Sequence, residues 1–343
     1  MEEIREHIRA RIARTGPETL YGRWATGLLD DPEVLALLTE TPEEQYFNLL
    51  MAIVHYLLLK GETHRLARYY STVTANPLPP DHAYPVFHDF CLTHADTIRA
   101  LANSRWVQVN VVGRCTTLLP VLTLISRRLS GEPFAFLEIG SSAGLMLIWD
   151  RYGYDYGFRQ INATASALVL TARVDGKYRP PLPAQMPSVA ARIGMDIHPI
   201  DLDDPDAVVW LDATWRPDRL DGLTERLRVQ QRQAIDRVRR HRPPIVAGDG
   251  RFDVSRVAAQ LPADIPLVIL DAYIPEFVNA AALAQSRELA RWRPVYHITI
   301  DKLQRLYLVD YQTNSGERVR LLRSDPVGSV LEWLDAATAD GAL

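Results

Sequence analysis

Through the first 130 residues, apolar positions recur every three or four places between charged ones, the period of helices with one buried stripe. The pattern predicts a helix over 2–15, another over 22–29, and a short one over 32–38 that Asp31 caps and Pro32 opens. Thr41-Pro42-Glu43-Glu44 is a helix start, with threonine as N-cap and an acid three places on. It leads into a strongly apolar helix that runs to Lys60 and stops at Gly61. The cluster Asn76-Pro77-Leu78-Pro79-Pro80-Asp81 breaks the pattern and predicts a loop. Helices over 85–103 and 110–129 come next, the second kinked or split by Pro120.

After Gly131-Glu132-Pro133 the texture changes. Short apolar runs at 134–139, 193–200, 244–247, 266–270, 295–300, 306–310 and 319–322 alternate with helical stretches at 143–152, 218–240, 254–261 and 276–292. Such alternation predicts an α/β fold, a mainly parallel sheet with helices on both faces. The last two runs are separated only by a turn that ends at Gly316, so the sheet should end in an antiparallel hairpin. The expected organisation is a helical N-terminal domain over 1–130 and an α/β domain over 131–343. Residues 153–190 fit neither texture and read as an insertion, a small hairpin cap or lid.

Candidate chemistry gathers at the ends of the apolar runs. Phe134-Ala-Phe-Leu-Glu138-Ile-Gly140-Ser-Ser142-Ala-Gly144 reads as a strand, a tight turn and a helix start. A turn that brings backbone N–H groups to a ligand needs residues without bulk. The dinucleotide fingerprint Gly-x-Gly-x-x-Gly is absent. The next run offers Asp196 and Asp201, the third ends in Gly248-Asp249, and the fourth in Asp271-Ala-Tyr273. Ligands of open α/β sheets bind at these C-terminal strand ends. Asp271 is therefore expected as a general base or orienting group, and Tyr273 as a pocket wall or cation–π partner. Upstream, Asn110 is expected to cap a helix with Arg114 one turn in, where a guanidinium can grip a carboxylate. Gln108 would add an amide.

These residues resemble the motifs of class I S-adenosylmethionine (SAM) methyltransferases. The resemblance implies a methyltransferase-like, Rossmann-like sheet and SAM as cofactor. Glu138, Gly140, Ser142 and Gly144 would form the cofactor turn, with Ser142 standing where the pattern has its middle glycine. Asp196 or Asp201 would take the ribose hydroxyls, Gly194-x-Asp196 being closer to the usual strand end. Asp249 would take the adenine amino group, Arg114 and Asn110 the methionine end, and Asp271 and Tyr273 would face the methyl group. Asp271-Ala-Tyr273 is not the Asn-Pro-Pro-Tyr pattern of amino methylation, so nitrogen, oxygen and carbon acceptors all remain open.

Longer segments resemble a bacterial family, domain of unknown function 2332. They are Val54-His-Tyr-Leu-Leu-Leu-Lys-Gly61, Val107-Gln-Val-Asn-Val-Val-Gly-Arg114, Phe136-Leu-Glu-Ile-Gly-Ser-Ser-Ala-Gly-Leu145, Trp149-Asp-Arg-Tyr-Gly-Tyr-Asp-Tyr-Gly157 and Asp212-Ala-Thr-Trp-Arg-Pro217. Where that family has Gln-Thr-Asn-Glu, this chain has Gln108-Val-Asn-Val111, without the acid. The family implies a methyltransferase-like fold with a helical N-terminal region, and no particular reaction.

Composition narrows the remaining classes. The 343 residues are 47% hydrophobic and 23% charged, and the net charge is −4, which gives no expectation of a nucleic-acid partner. The longest apolar run, 49–59, is about half a membrane span, and Met1-Glu-Glu-Ile-Arg5 lacks a secretory signature. A cytoplasmic protein acting on a small molecule is expected, without a membrane. Cys91 and Cys115 read as small buried hydrophobes, and the scattered histidines predict no metal site. The expected function is SAM-dependent methyl transfer to a small molecule. The alternatives are a non-catalytic binding or scaffold protein on the same fold and, less favoured, a nucleotide-cofactor oxidoreductase.

Overall fold

Helices fill the first hundred residues of the computed structural model, which describes residues 2–38, 41–108, 111–215, 223–303, 305–310 and 316–340. They are α1 (Glu2–Thr15), α2 (Leu20–Leu28), α3 (Pro32–Leu35), α4 (Glu43–Leu59), α5 (Tyr84–Thr93) and α6 (Ala95–Ala102). Thr19 caps α2 through the Gly22 N–H, and Asp31 caps α3 through the Val34 N–H. Asp31 also takes the Tyr84 hydroxyl and the His88 ring, each at 2.6 Å, tying α3 to α5. The expected helix over 85–103 is two helices, because His94 leaves helical geometry between them. Residues 1–109 together with 203–229 make one unit, with a core around α4, Trp24 and Phe87.

Residues 110–202 and 230–343 make the second unit. The division therefore differs from a boundary at 130: the helix α7 (Cys115–Arg128) belongs with the sheet. Pro120 lies inside α7 without splitting it. Proline has no N–H to give the carbonyl four residues back. That carbonyl, on Thr116, instead accepts the Tyr156 hydroxyl at 2.7 Å.

The strands are β1 (Phe134–Ile139), β2 (Gly153–Asp155), β3 (Gln160–Ile161), β4 (Val169–Thr171), β5 (Arg173–Asp175), β6 (Val189–Asp196), β7 (Ile245–Ala247), β8 (Leu267–Ala272), β9 (Val295–Ile300), β10 (Arg305–Asp310), β11 (Arg318–Ser324) and β12 (Val330–Trp333). Between β6 and β7 run α8 (Pro205–Ala213), which belongs to the first unit, and α9 (Leu223–His241). The helix α10 (Val254–Ala258) joins β7 to β8, and α11 (Glu276–Leu289) joins β8 to β9.

Nine strands form one sheet in the order β5-β12-β11-β10-β9-β8-β1-β6-β7. The run from β7 to β9 is parallel, and β9 to β12 is antiparallel. The antiparallel end is thus wider than a single hairpin. The chain winds outward from β1 through β6 to β7, then returns to β8 beside β1 and continues to β9. The crevice between β1 and β8 is therefore the point where the winding reverses.

Alternation sets the two faces of β1. Ala135, Leu137 and Ile139 pack into a core with Val254, Val257 and Ala282 of α10 and α11. Phe134 and Phe136 turn the other way and meet the buried Trp149.

Two expectations about the chain after β1 are corrected. Residues 143–152 are not an α-helix but a string of turns ending in a 3-10 helix, Trp149–Arg151. Gly140, Ser142 and Gly144 have φ of 75°, 51° and 72°, left-handed values that interrupt a helical ladder. The insertion is also not a simple hairpin cap. Strands β2, β3 and β4 form a small sheet of their own, and β5 joins the far edge of the large sheet, parallel to β12.

Candidate functional site

The turn after β1 is held by its neighbour strand. Asp196, at the end of β6, accepts the Ser142 N–H through Oδ2 and the His198 N–H through Oδ1, both at 2.8 Å. A serine in the left-handed region costs roughly 1–2 kcal/mol. A charge-assisted bond to its own N–H offsets a cost of that size. Gly194 lets the strands close up, since a Cβ there would lie 2.6 Å from Ser141 Oγ. Gly140 faces the loop after β8, where a Cβ would meet Ile274 at 3.3 Å.

The segment behind the turn, residues 141–149, is wholly buried, and its carbonyls lack the partners a helix would give them. The strand β2 and its flanks supply some of them. Tyr152 donates to Leu145 O at 2.7 Å and Tyr154 to Trp149 O at 2.6 Å. Arg192 donates to Leu147 O and grips both oxygens of Asp150. The Trp149-to-Gly157 motif is thus a brace for the turn.

Polar atoms of this turn and the segment behind it that have no partner among the described residues are Glu138 Oε2, Ser141 Oγ and Trp149 Nε1, all buried. Glu138 faces Gly194 and Leu270 in register and is 3% exposed. Burial, then the charge of Asp196, push its carboxyl well above the usual carboxylate range.

Among the other expected residues, Arg114 and Tyr273 come together. The guanidinium lies 3.6 Å from the Tyr273 ring centroid, and its Nε donates to Pro326 O at 3.1 Å. Arg114 ends a 3-10 turn, Val112–Arg114, and has no carboxylate partner among the described residues. Burial lowers its pKa. Tyr273 has φ 62°, and burial raises its pKa while Arg114 opposes that rise. Asn110 lies outside the described residues, and Gln108 belongs to the first unit. Asp201 is exposed five residues beyond the strand end that Asp196 occupies. Asp249 lies just past β7 and holds the Arg251 side chain at 2.6–3.1 Å, which lowers its pKa.

Asp271 sits apart from open space. It is wholly buried between β8 and α11, and its Oδ2 takes Asn279 Nδ2 and His297 Nε2, each at 2.6 Å. His297 Nδ1 meets Ser286 Oγ at 2.7 Å. Ser286, His297 and Asp271 thus share the residue types of a hydrolytic triad but not its geometry. All three are wholly buried, Ser286 bonds to Ala282 O of its own helix, and the carboxylate sits on Nε2 rather than Nδ1. Asp271 Oδ2 thus positions Asn279 and His297, while its Oδ1 is buried without a partner among the described residues. None of Asn279, Ser286, His297 and Thr299 was expected at the site. Their signal was polar side chains placed in step with apolar ones, as in Val295-Tyr-His297-Ile-Thr299.

This network ends at an open cavity of about 350 Å³ beyond β8 and β9. Asn279 and Thr299 form its floor, and Glu276, Lys302, Tyr307 and Arg318 stand around it. Its size lies within the usual range of small-molecule sites.

The sequence profile of a bacterial family, described as an uncharacterized protein conserved in bacteria (domain of unknown function 2332), matches residues 6–333. The chain belongs to that family. The match spans both units, so the brace, the turn and the cavity all lie within the family's domain. None of the curated proteins matches the chain. Among the described residues, no helix is long and apolar enough to cross a membrane, and no three His, Cys, Asp or Glu side chains cluster as metal ligands.

Proposed function

We propose that this chain is a SAM-dependent methyltransferase acting on a small molecule. The observation that carries the reading is the row of acids at three neighbouring strand ends, Glu138 on β1, Asp196 on β6 and Asp249 after β7, beside the crevice where the winding reverses. A methyltransferase-like sheet accounts for that order of parallel strands followed by antiparallel ones.

The residues fit an adenosyl cofactor at the turn. Glu138 Oε2 and Ser141 Oγ are buried acceptors without a partner, and Arg114 is a cation without a carboxylate. Glu138 would accept from an ammonium or hydroxyl group, Arg114 would meet a carboxylate, and Asp249 would share its oxygens between Arg251 and an amino group. SAM supplies an electrophilic methyl group when bound. The chain's part is placement and exclusion of water, with Tyr273 walling the crevice.

A second reading, a non-catalytic SAM- or nucleotide-binding or scaffold protein, has its own support. Both Asp196 oxygens already hold backbone N–H groups, and no α-helix begins behind the turn. Calorimetric titration with SAM, S-adenosylhomocysteine, NAD and NADP separates these readings. Binding of both adenosyl compounds is expected, and Arg114→Gln is expected to weaken SAM about tenfold. Absence of adenosyl binding rejects methyl transfer. Binding only of NAD or NADP points to an oxidoreductase.

A further inference from the structure

The cavity beyond β8 and β9 has two chemically different walls. One is α11. Glu276 and Asn279 are three residues apart on that helix, and both line the cavity. The Asn279 amide has only one orientation consistent with its surroundings. Its Nδ2 donates to Asp271 Oδ2 at 2.6 Å and to Thr299 Oγ1 at 3.1 Å. A carboxylate oxygen that already serves His297 needs a donor there, so the amide nitrogen faces inward. Asn279 Oδ1 is left without a donor among the described residues, on a side chain that is 6% exposed. The α11 wall thus offers a fixed acceptor and an acid.

A second part of the lining carries a cation, Arg318 on β11. Arg318 stands 4.0 Å over the Tyr307 ring and has no carboxylate partner among the described residues. Arg305 and Asp301 also line the cavity, but they pair with each other at 2.7 Å and cancel. Ile274, Ile300 and Leu303 supply apolar surface.

We infer that this cavity binds a small zwitterion, an amine-bearing carboxylic acid of the amino-acid class. Its amino group lies against Asn279 Oδ1 and Glu276, its carboxylate against Arg318, and its side chain on the apolar surface. An acceptor that opens onto the cavity and is fixed by its neighbours favours a ligand that brings a donor, which gives the amino group its selectivity. Binding of the zwitterion stands by itself. Its identity as the methyl acceptor rests on the proposed methyltransferase reading.

The test is calorimetric titration of the full chain with matched probes. L-phenylalanine is compared with 3-phenylpropionate, which lacks the amine, and phenethylamine, which lacks the carboxylate. L-leucine, 4-methylpentanoate and isoamylamine form a second set. Each deletion is expected to weaken binding about tenfold or more. Arg318→Gln should weaken the zwitterion about fivefold and leave the amine unchanged, and Glu276→Gln should weaken the zwitterion and the amine about equally and spare the carboxylate probe. Both side chains are exposed, so these variants retain the fold. An analogue that binds as tightly as its parent, or no binding by either zwitterion at about 10 mM, overturns the inference. SAM titrated separately keeps the readings apart: zwitterion binding without SAM binding removes only the methyltransferase assignment, and the converse removes only this site.

Discussion

The turn after β1 and the cavity beyond β8 and β9 stand on the same edge of one sheet, yet they are built in opposite ways. The turn carries the glycine motif that resembles a known pattern, and its backbone is held from behind. Asp196 holds its N–H groups, the Tyr152-x-Tyr154 hydroxyls hold carbonyls behind it, and Gly194 brings β6 against it. The cavity carries no motif and is open, and its floor is set by a polar network one layer down. Recognisable sequence here marks where the backbone is hard to build. Ligand chemistry can be assembled next to it from ordinary side chains.

The contrast can be broken from its strongest element downward. Asp271→Ala removes the acceptor shared by Asn279 and His297, leaving two buried donors at roughly 1–3 kcal/mol each. A loss of about 3–5 kcal/mol in denaturant unfolding is expected, together with loss of zwitterion affinity as the Asn279 amide is freed to turn. A loss below about 1 kcal/mol would show that the network does not hold the floor. Asp196→Ala frees two N–H groups, of which the one on Ser142 is buried. A loss of about 2–3 kcal/mol is expected, with the cavity's probes still bound. If probe binding falls with it, the two regions are not independent.

Glu138→Gln tests the buried turn through pH. The folded pKa of Glu138 lies above its ordinary 4.5, so the folded state holds a proton that the unfolded state releases. Its contribution is full below about pH 4.5 and is lost as pH rises toward the folded value, by up to about 1.4 kcal/mol per pH unit. Glutamine keeps the shape and cannot ionise. The variant should therefore gain on the parent as pH rises from 5 to 8. Parallel stability curves for the two proteins would place a compensating partner at Glu138.

Much of the sheet was legible because its strands are apolar runs bounded by glycine and proline. Phe134–Ile139 and Val295–Ile300 fall where the runs predicted them. Residues 143–152 were not legible for a physical reason. Ala-Gly-Leu-Met-Leu-Ile-Trp is apolar at every period, so the pattern cannot distinguish a buried helix from buried turns. The decision is made by the left-handed backbone at Ser142 and Gly144 and by tyrosines several residues away. The three strand-end acids were legible as positions, but their partners were not. Asp271 was expected beside a ligand, and its Oδ2 is met by His297, Asn279 and Thr299, which the sequence pattern did not single out. Those partners come from a helix and strand up to 28 residues further on.

The insertion has a further consequence through β5. A sheet of this width has two rims, and each rim carries a row of unshared amide and carbonyl groups that another chain can pair with. At one rim β7 spans only three residues, which keeps that row short. At the other, β5 is the outermost strand, also three residues long, and covers Val330–Glu332. A chain shortened by removing 153–190 would expose the apolar-rich Val330–Trp333 strand to its neighbours. The insertion that reads as a lid thus also sets the length of the row that a second copy could pair with, three residues in place of the four of Val330–Trp333.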